Sequence, residues 1–247
     1  MFETFSLRLA AGMTAALLVL PRGTVAARFY RIHLIVVLCL QAAAGVFAWE
    51  TVLPDTFWLT LGVAGGAALL GCWSYAFREV SPAQLPALGL TVAATLAALA
   101  LLPGPTGAAW WLARLDDATA AALLGAAMTA MLLGHWYLIA PNLSITPLLR
   151  LHYALFASLA VRCLVVGFTL VAAYINRAGF DGVTWLWLAP RVGAGLAGAA
   201  VLATMAWAAA RIRSTQSATG ILYVVVVFVL LGELTDQLLH QHWGGAA

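Results

Sequence analysis

Three histidines, at positions 33, 135 and 152, fall within apolar stretches of the 247-residue chain. His33 stands in Arg31-Ile32-His33-Leu34 and His152 in Arg150-Leu151-His152-Tyr153, while His135 stands in Gly134-His135-Trp136-Tyr137. Neutral imidazole is a good axial ligand for haem iron, and helix bundles hold cofactors on side chains of facing helices. The pattern points to a b-type haem whose iron is held by His33, His152 or His135. Arg31 and Arg150, each two residues before a histidine, would then meet the haem propionates, because a guanidinium matches a carboxylate in bidentate geometry. The same imidazoles could instead serve a quinone or relay a proton. The plainest alternative is that they bond to loop carbonyls and lipid headgroups at the membrane surface.

A second group is ionic. Arg162 and Arg191 interrupt apolar stretches, and Glu233, Asp236 and His240, spaced three and then four apart, share one helix face. Charged side chains within lipid are costly and mark functional positions. Glu233, Asp236, Arg162 and Arg191 are therefore the candidate catalytic residues. A carboxylate beside an arginine would accept a proton from a quinol and pass it outward through Asp236 and His240. The competing reading is a fixed salt bridge inside the bundle. Cys39, Cys72 and Cys163 are scattered without a Cys-x-x-Cys pair, so neither a disulfide framework nor a zinc site is expected. No P-loop, dinucleotide fingerprint, nucleophile elbow or metalloprotease motif occurs.

The elements that must position these residues are helices in lipid. Hydrophobic residues make up 64% of the chain and charged ones 9%, with a mean hydropathy of +0.99. A water-exposed surface needs about 25% charged residues, so the lipid bilayer is the main partner. The net charge of +3 reports topology, and no nucleic-acid partner is expected. The twelve cations are all arginine, in a chain rich in alanine, leucine and glycine. That composition fits a GC-rich bacterial genome, hence a bacterial inner membrane.

Each crossing takes about 20 mostly apolar residues. Eight such segments occur, at 6–22, 30–49, 57–77, 84–103, 118–139, 147–174, 183–209 and 217–239. The fold expected is an all-α integral membrane protein with eight transmembrane helices. The first segment lacks a clear basic leader, since Glu3 accompanies Arg8, and it is read as a retained span. Arg22, Arg28 and Arg31, then Arg78, Arg150, Arg211 and Arg213, lie in the odd-numbered loops. Glu50, Asp55, Asp116, Asp117 and Asp181 lie in the even ones, opposed by Arg114 and Arg177. The positive-inside rule then puts the odd loops in the cytoplasm and both termini outside.

Ala11-Gly12-Met13-Thr14-Ala15-Ala16-Leu17-Leu18 resembles Ala126-Ala127-Met128-Thr129-Ala130-Met131-Leu132-Leu133, and the two Arg-x-His motifs follow in the same order. This predicts two parallel four-helix repeats, 1–110 and 111–247, related by an axis along the membrane normal. Two small-residue runs, 62–66 and 193–198, are expected to let helices approach closely. With short loops and no soluble domain, the expected function is an electron-transfer subunit of a respiratory-type complex. It would bind haem, quinone or both, and work with other membrane or peripheral redox subunits. The alternatives are a transporter or channel for ions or small solutes, and a structural or assembly subunit.

Overall fold

The computed structural model of the chain describes residues 1–21, 23–77, 81–140, 143–175 and 181–244, with backbone alone for Ala108, Trp243 and Gly244. Of the arginines that set the orientation, Arg22, Arg78 and Arg177 lie outside the described residues. The elements are α1 (Phe2–Val19), α2 (Ala27–Ala48), α3 (Asp55–Phe77), α4 (Gln84–Ala100), α5 (Ala108–Ile139) and α6 (Thr146–Ile175). They continue with α7 (Gly182–Ala189), a π-helical segment (Pro190–Gly198), α8 (Ala199–Arg211) and α9 (Thr215–Gly244). The described residues contain helices and no strand.

Seven of the helical rods are long and apolar enough to cross a membrane. One of them is the continuous run Gly182–Arg211, made of α7, the π segment and α8. Pro190 has no N–H to complete the helical ladder there. The wider π turn that follows keeps the rod unbroken. At its start the Asp181 side chain accepts from the Thr184 N–H (2.8 Å), which caps the first turn. That bond, followed by one from the Thr184 hydroxyl, holds the Asp181 carboxyl below its ordinary range. The eighth apolar helix, α4, is shorter: 17 residues rise only about 26 Å.

Packing falls into two rings. In one, α1 contacts α2 and α4, while α3 contacts α2 and α4. In the other, α5 contacts α6 and α9, α6 contacts α8, and the π segment and α8 contact α9. The most extensive joint is α1 on α5. There Gly12 and Gly125 bring the two backbones together: a Cβ on Gly12 would fall on the Ala121 carbonyl, and one on Gly125 would fall on Gly12 itself. Large apolar side chains such as Val46, Leu59, Leu164 and Tyr174 point outward, as lipid requires.

Two expectations are corrected here. First, α5 begins at Ala108, ten residues before the segment at 118, so Asp116 and Asp117 are helical and not in a loop. Second, Gly62 and Gly66 face open space; of the small-residue runs, only 193–198 makes a tight crossing, with Gly195 on Gly232 of α9.

Candidate functional site

The start of α1, the end of α4, the start of α5 and the end of α9 meet at one end of the bundle, where Met1, Leu99, Ala113 and Gln241 line a common cavity. Just beneath it lies a buried ionic network. Glu233 and Asp236, three apart on α9, point the same way into the bundle. Arg162 of α6 is fully buried and forks onto Glu233 with two bonds, Nε to Oε1 at 2.8 Å and Nη2 to Oε2 at 2.7 Å. Its Nη2 also reaches Asp236 at 2.9 Å, and its Nη1 pairs with Asp116. Arg191, in the π segment directly after Pro190, pairs with Asp236. The four predicted residues Arg162, Arg191, Glu233 and Asp236 are therefore brought together.

The sequence did not single out the partners that complete the network. Arg8 of α1 binds Asp117 (2.7 Å) and Asp116 (3.0 Å), and its Nη1 lies 3.5 Å from Asp236 and 3.8 Å from Glu233. Half-buried Arg114 pairs with Asp117 at 3.1 Å and donates to the Leu99 carbonyl, which ties α4 to α5. Four arginines (8, 114, 162, 191) face four carboxylates (116, 117, 233, 236), so the fixed charges cancel. One signal was available in the sequence. Arg8, Arg162 and Arg191 outnumber Glu233 and Asp236 within the apolar stretches, so a further carboxylate had to be near them, and Asp116 and Asp117 stand at the very edge of the segment that begins at 118.

Asp116, Asp236 and His240 bring ligand atoms within 4.8 Å of one another, a spacing that would suit a metal ion. However, Arg162 and Arg191 already neutralise those carboxylates. A cation there would face guanidinium groups at close range, so the electrostatics oppose it. His240 is half-exposed, with Nδ1 3.1 Å from the Asp236 carboxylate.

The histidines lie elsewhere. His33 is 2% exposed and His152 fully buried, and the two share one arrangement. The Nδ1 of His33 is 2.9 Å from the Phe29 carbonyl, and the Nδ1 of His152 is 2.9 Å from the Leu148 carbonyl, each one helical turn back. A carbonyl only accepts, so Nδ1 carries the proton and the neutral ring presents a lone pair at Nε2. In both residues that Nε2 is buried without a partner. A ligating histidine has the same pattern, with one ring nitrogen fixed by a carbonyl and the other free for a metal. Both residues thus fit axial ligation on the chemistry of their free atoms.

His33 also packs on Phe29 (ring centroids 4.0 Å apart), and Phe29 meets Trp136 of α5. The helices α2 and α6 are not packed neighbours, since α2 lies on α1 and α3 while α6 lies on α5 and α8. His135 is not gathered with the other two. It is exposed, with Nδ1 3.3 Å from the Tyr223 hydroxyl on the α5–α9 surface. Arg31 and Arg150 are exposed near the end of the bundle opposite the ionic network. No protein-family model matches the chain, and neither a curated protein nor a solved structure matches it.

Proposed function

We propose that the chain is an integral membrane electron-transfer subunit of a respiratory-type complex, binding b-type haem, quinone or both within its helix bundle. The observation that carries this reading is the paired state of His33 and His152: buried rings, Nδ1 held by the backbone, Nε2 free. Two buried acceptors left without partners are a standing cost that a ligand would remove. His33 and His152 would hold the iron, and Arg31 and Arg150 would meet its propionates. A haem bound there would supply one-electron transfer. Exposed His135 would sit at the margin of that site.

The parallel packing of the two helix rings, and the matching histidine bonds in α2 and α6, support the duplicated four-helix organisation, 1–110 and 111–247. Arg28, Arg31, Arg150, Arg211 and Arg213 gather at the end opposite the termini. This supports an orientation in a bacterial inner membrane with both termini outside. The lack of any soluble domain among the described residues leaves donor and acceptor to partner redox subunits.

An optical spectrum of the chain purified in mild detergent tests the reading. A Soret band is expected, with loss of most of it in His33→Ala or His152→Ala. A colourless protein from haem-replete cells sinks the haem assignment.

A specific observation favours a second reading for the ionic network. Arg162, Arg191 and Glu233 leave no water-sized void among them. They act as a clamp joining α6, the π segment and α9, and the proton transfer expected of Glu233 and Asp236 would have to occur on the side of the network facing the cavity.

A further inference from the structure

The room a ligand needs lies one layer outside the ion pairs, in the cavity of about 340 Å³ at the end that carries both termini. Arg8, Asp116 and Asp117 form its floor, and Gln237 and His240 of α9 line one wall. Gln237 is only 7% exposed, yet neither its amide nitrogen nor its amide oxygen has a hydrogen-bond partner. Gln237 thus lines the cavity while its donor and acceptor are both buried and unpaired, and a turn of the amide toward the cavity would let it meet a ligand with complementary groups.

We propose that this cavity is the headgroup site for a membrane-dissolved quinone or quinol, with the Gln237 amide as its hydrogen-bonding contact. This rests on the electron-transfer reading above and assigns the quinone to a place distinct from the histidines. Three observations select that chemistry. The four arginines and four carboxylates of the network beneath the cavity cancel, so an ion would unbalance them, whereas a quinone is neutral in both its oxidised and reduced forms. The amide N–H donates to a quinone carbonyl and the amide oxygen accepts from a quinol hydroxyl, so one side chain serves both forms. Leu99, Leu102 and Pro103 give the cavity an apolar side against Ala113 of α5, next to the polar Thr4, Arg114 and Gln241. Because α4 and α5 scarcely pack on each other, the wedge between them gives a tailed molecule its way in from the lipid. The volume is at the small end of ligand pockets and fits one substituted ring.

The test is a titration of the full chain, in mild detergent, with decylubiquinone. Tryptophan quenching is the readout, set against protein-free micelles. Saturable binding at one site is expected. Gln237→Leu should weaken it about tenfold or more. Ala113→Trp, which fills the cavity from the α5 side while leaving every charged residue in place, should abolish it. Thermal unfolding of each variant shows whether it is folded, and the second variant stands if the first is not. Unsaturable partitioning alone, or equal affinity in wild type and Ala113→Trp, overturns the proposal. So does binding that survives both variants and disappears in His33→Ala. A protein without a Soret band that still binds decylubiquinone in a Gln237-dependent way supports this site while removing the haem assignment.

Discussion

Arg162 is the side chain on which the ionic network turns. It is fully buried and bonds Glu233, Asp236 and Asp116 at once, from three directions. Removing one partner of a buried ion pair typically costs about 3–5 kcal/mol, because the opposite charge is left uncompensated in a low dielectric. Arg162→Met leaves the network one negative charge in excess and should destabilise the protein by about that amount. Adding Glu233→Gln restores the balance of charge. The double variant should therefore recover roughly 1–3 kcal/mol relative to simple addition of the two effects. Unfolding in detergent across the four members of the cycle measures this, and strictly additive losses would mean that the two side chains are not coupled. The sequence exposed Arg162, Arg191, Glu233 and Asp236 because each interrupts an apolar stretch. It concealed Arg8, Asp116 and Asp117 because adjacent carboxylates near the end of a span read as a loop. Arg8 and Arg162, which approach from other helices, together with Arg114 on α5 itself, make two neighbouring aspartates tolerable inside the bundle.

Helix positions were largely legible, since hydropathy and length follow directly from the thickness of the bilayer. The faces on which helices meet were not. Most of the helices are rich in alanine, leucine and glycine, so their apolar pattern hardly separates the inside from the lipid side. The run at 62–66 has the composition of a packing seam, yet Gly62 and Gly66 look into open space. The true seam is Gly12 on Gly125, which nothing in either local sequence announces. Inserting a methyl group into close-packed surroundings costs about 1–3 kcal/mol. At Gly12 it would meet the rigid backbone of Ala121, with no flexible side chain able to move aside. Gly12→Ala should therefore lower stability by an amount near the top of that range and loosen α1 from α5. Gly167→Ala on α6, which meets nothing within 4 Å, should be neutral or slightly stabilising, because alanine favours the helix by up to about 1 kcal/mol over glycine. Paired unfolding curves decide between a true seam at Gly12 and a general intolerance of alanine for glycine.

Taken as a whole, the molecule turns on α4. Without α4 as a crossing there are seven, and the two termini fall on opposite sides of the membrane. With it there are eight, and they fall on the same side. Its rise of about 26 Å is a little short of the roughly 30 Å hydrocarbon core. Even so, it packs along both α1 and α3, and Arg114 ties its last turn to the start of α5. The start of α1, the end of α4 and the end of α9 border one cavity, which requires both termini at one end of the bundle. A bilayer accommodates a short helix by thinning locally, at a fraction of a kcal/mol per Å of mismatch. The ties of α4 to its neighbours act against that cost, and they support the proposal that α4 is an eighth crossing. In the proposed orientation, the arginines gathered at the opposite end face the cytoplasm. Alkaline phosphatase fused to the C-terminus should be active, and a green fluorescent protein fused there should be dark. The reverse result should appear for fusions ending after Arg31, Arg150 or Arg213. An active phosphatase at both Arg150 and the C-terminus would break the alternation and remove the eight-crossing arrangement. A dark phosphatase at the C-terminus, with active ones after both Arg31 and Arg150, would keep the eight crossings and invert the protein, whereas the same pair of results with a dark phosphatase after Arg31 would mean that α4 does not cross.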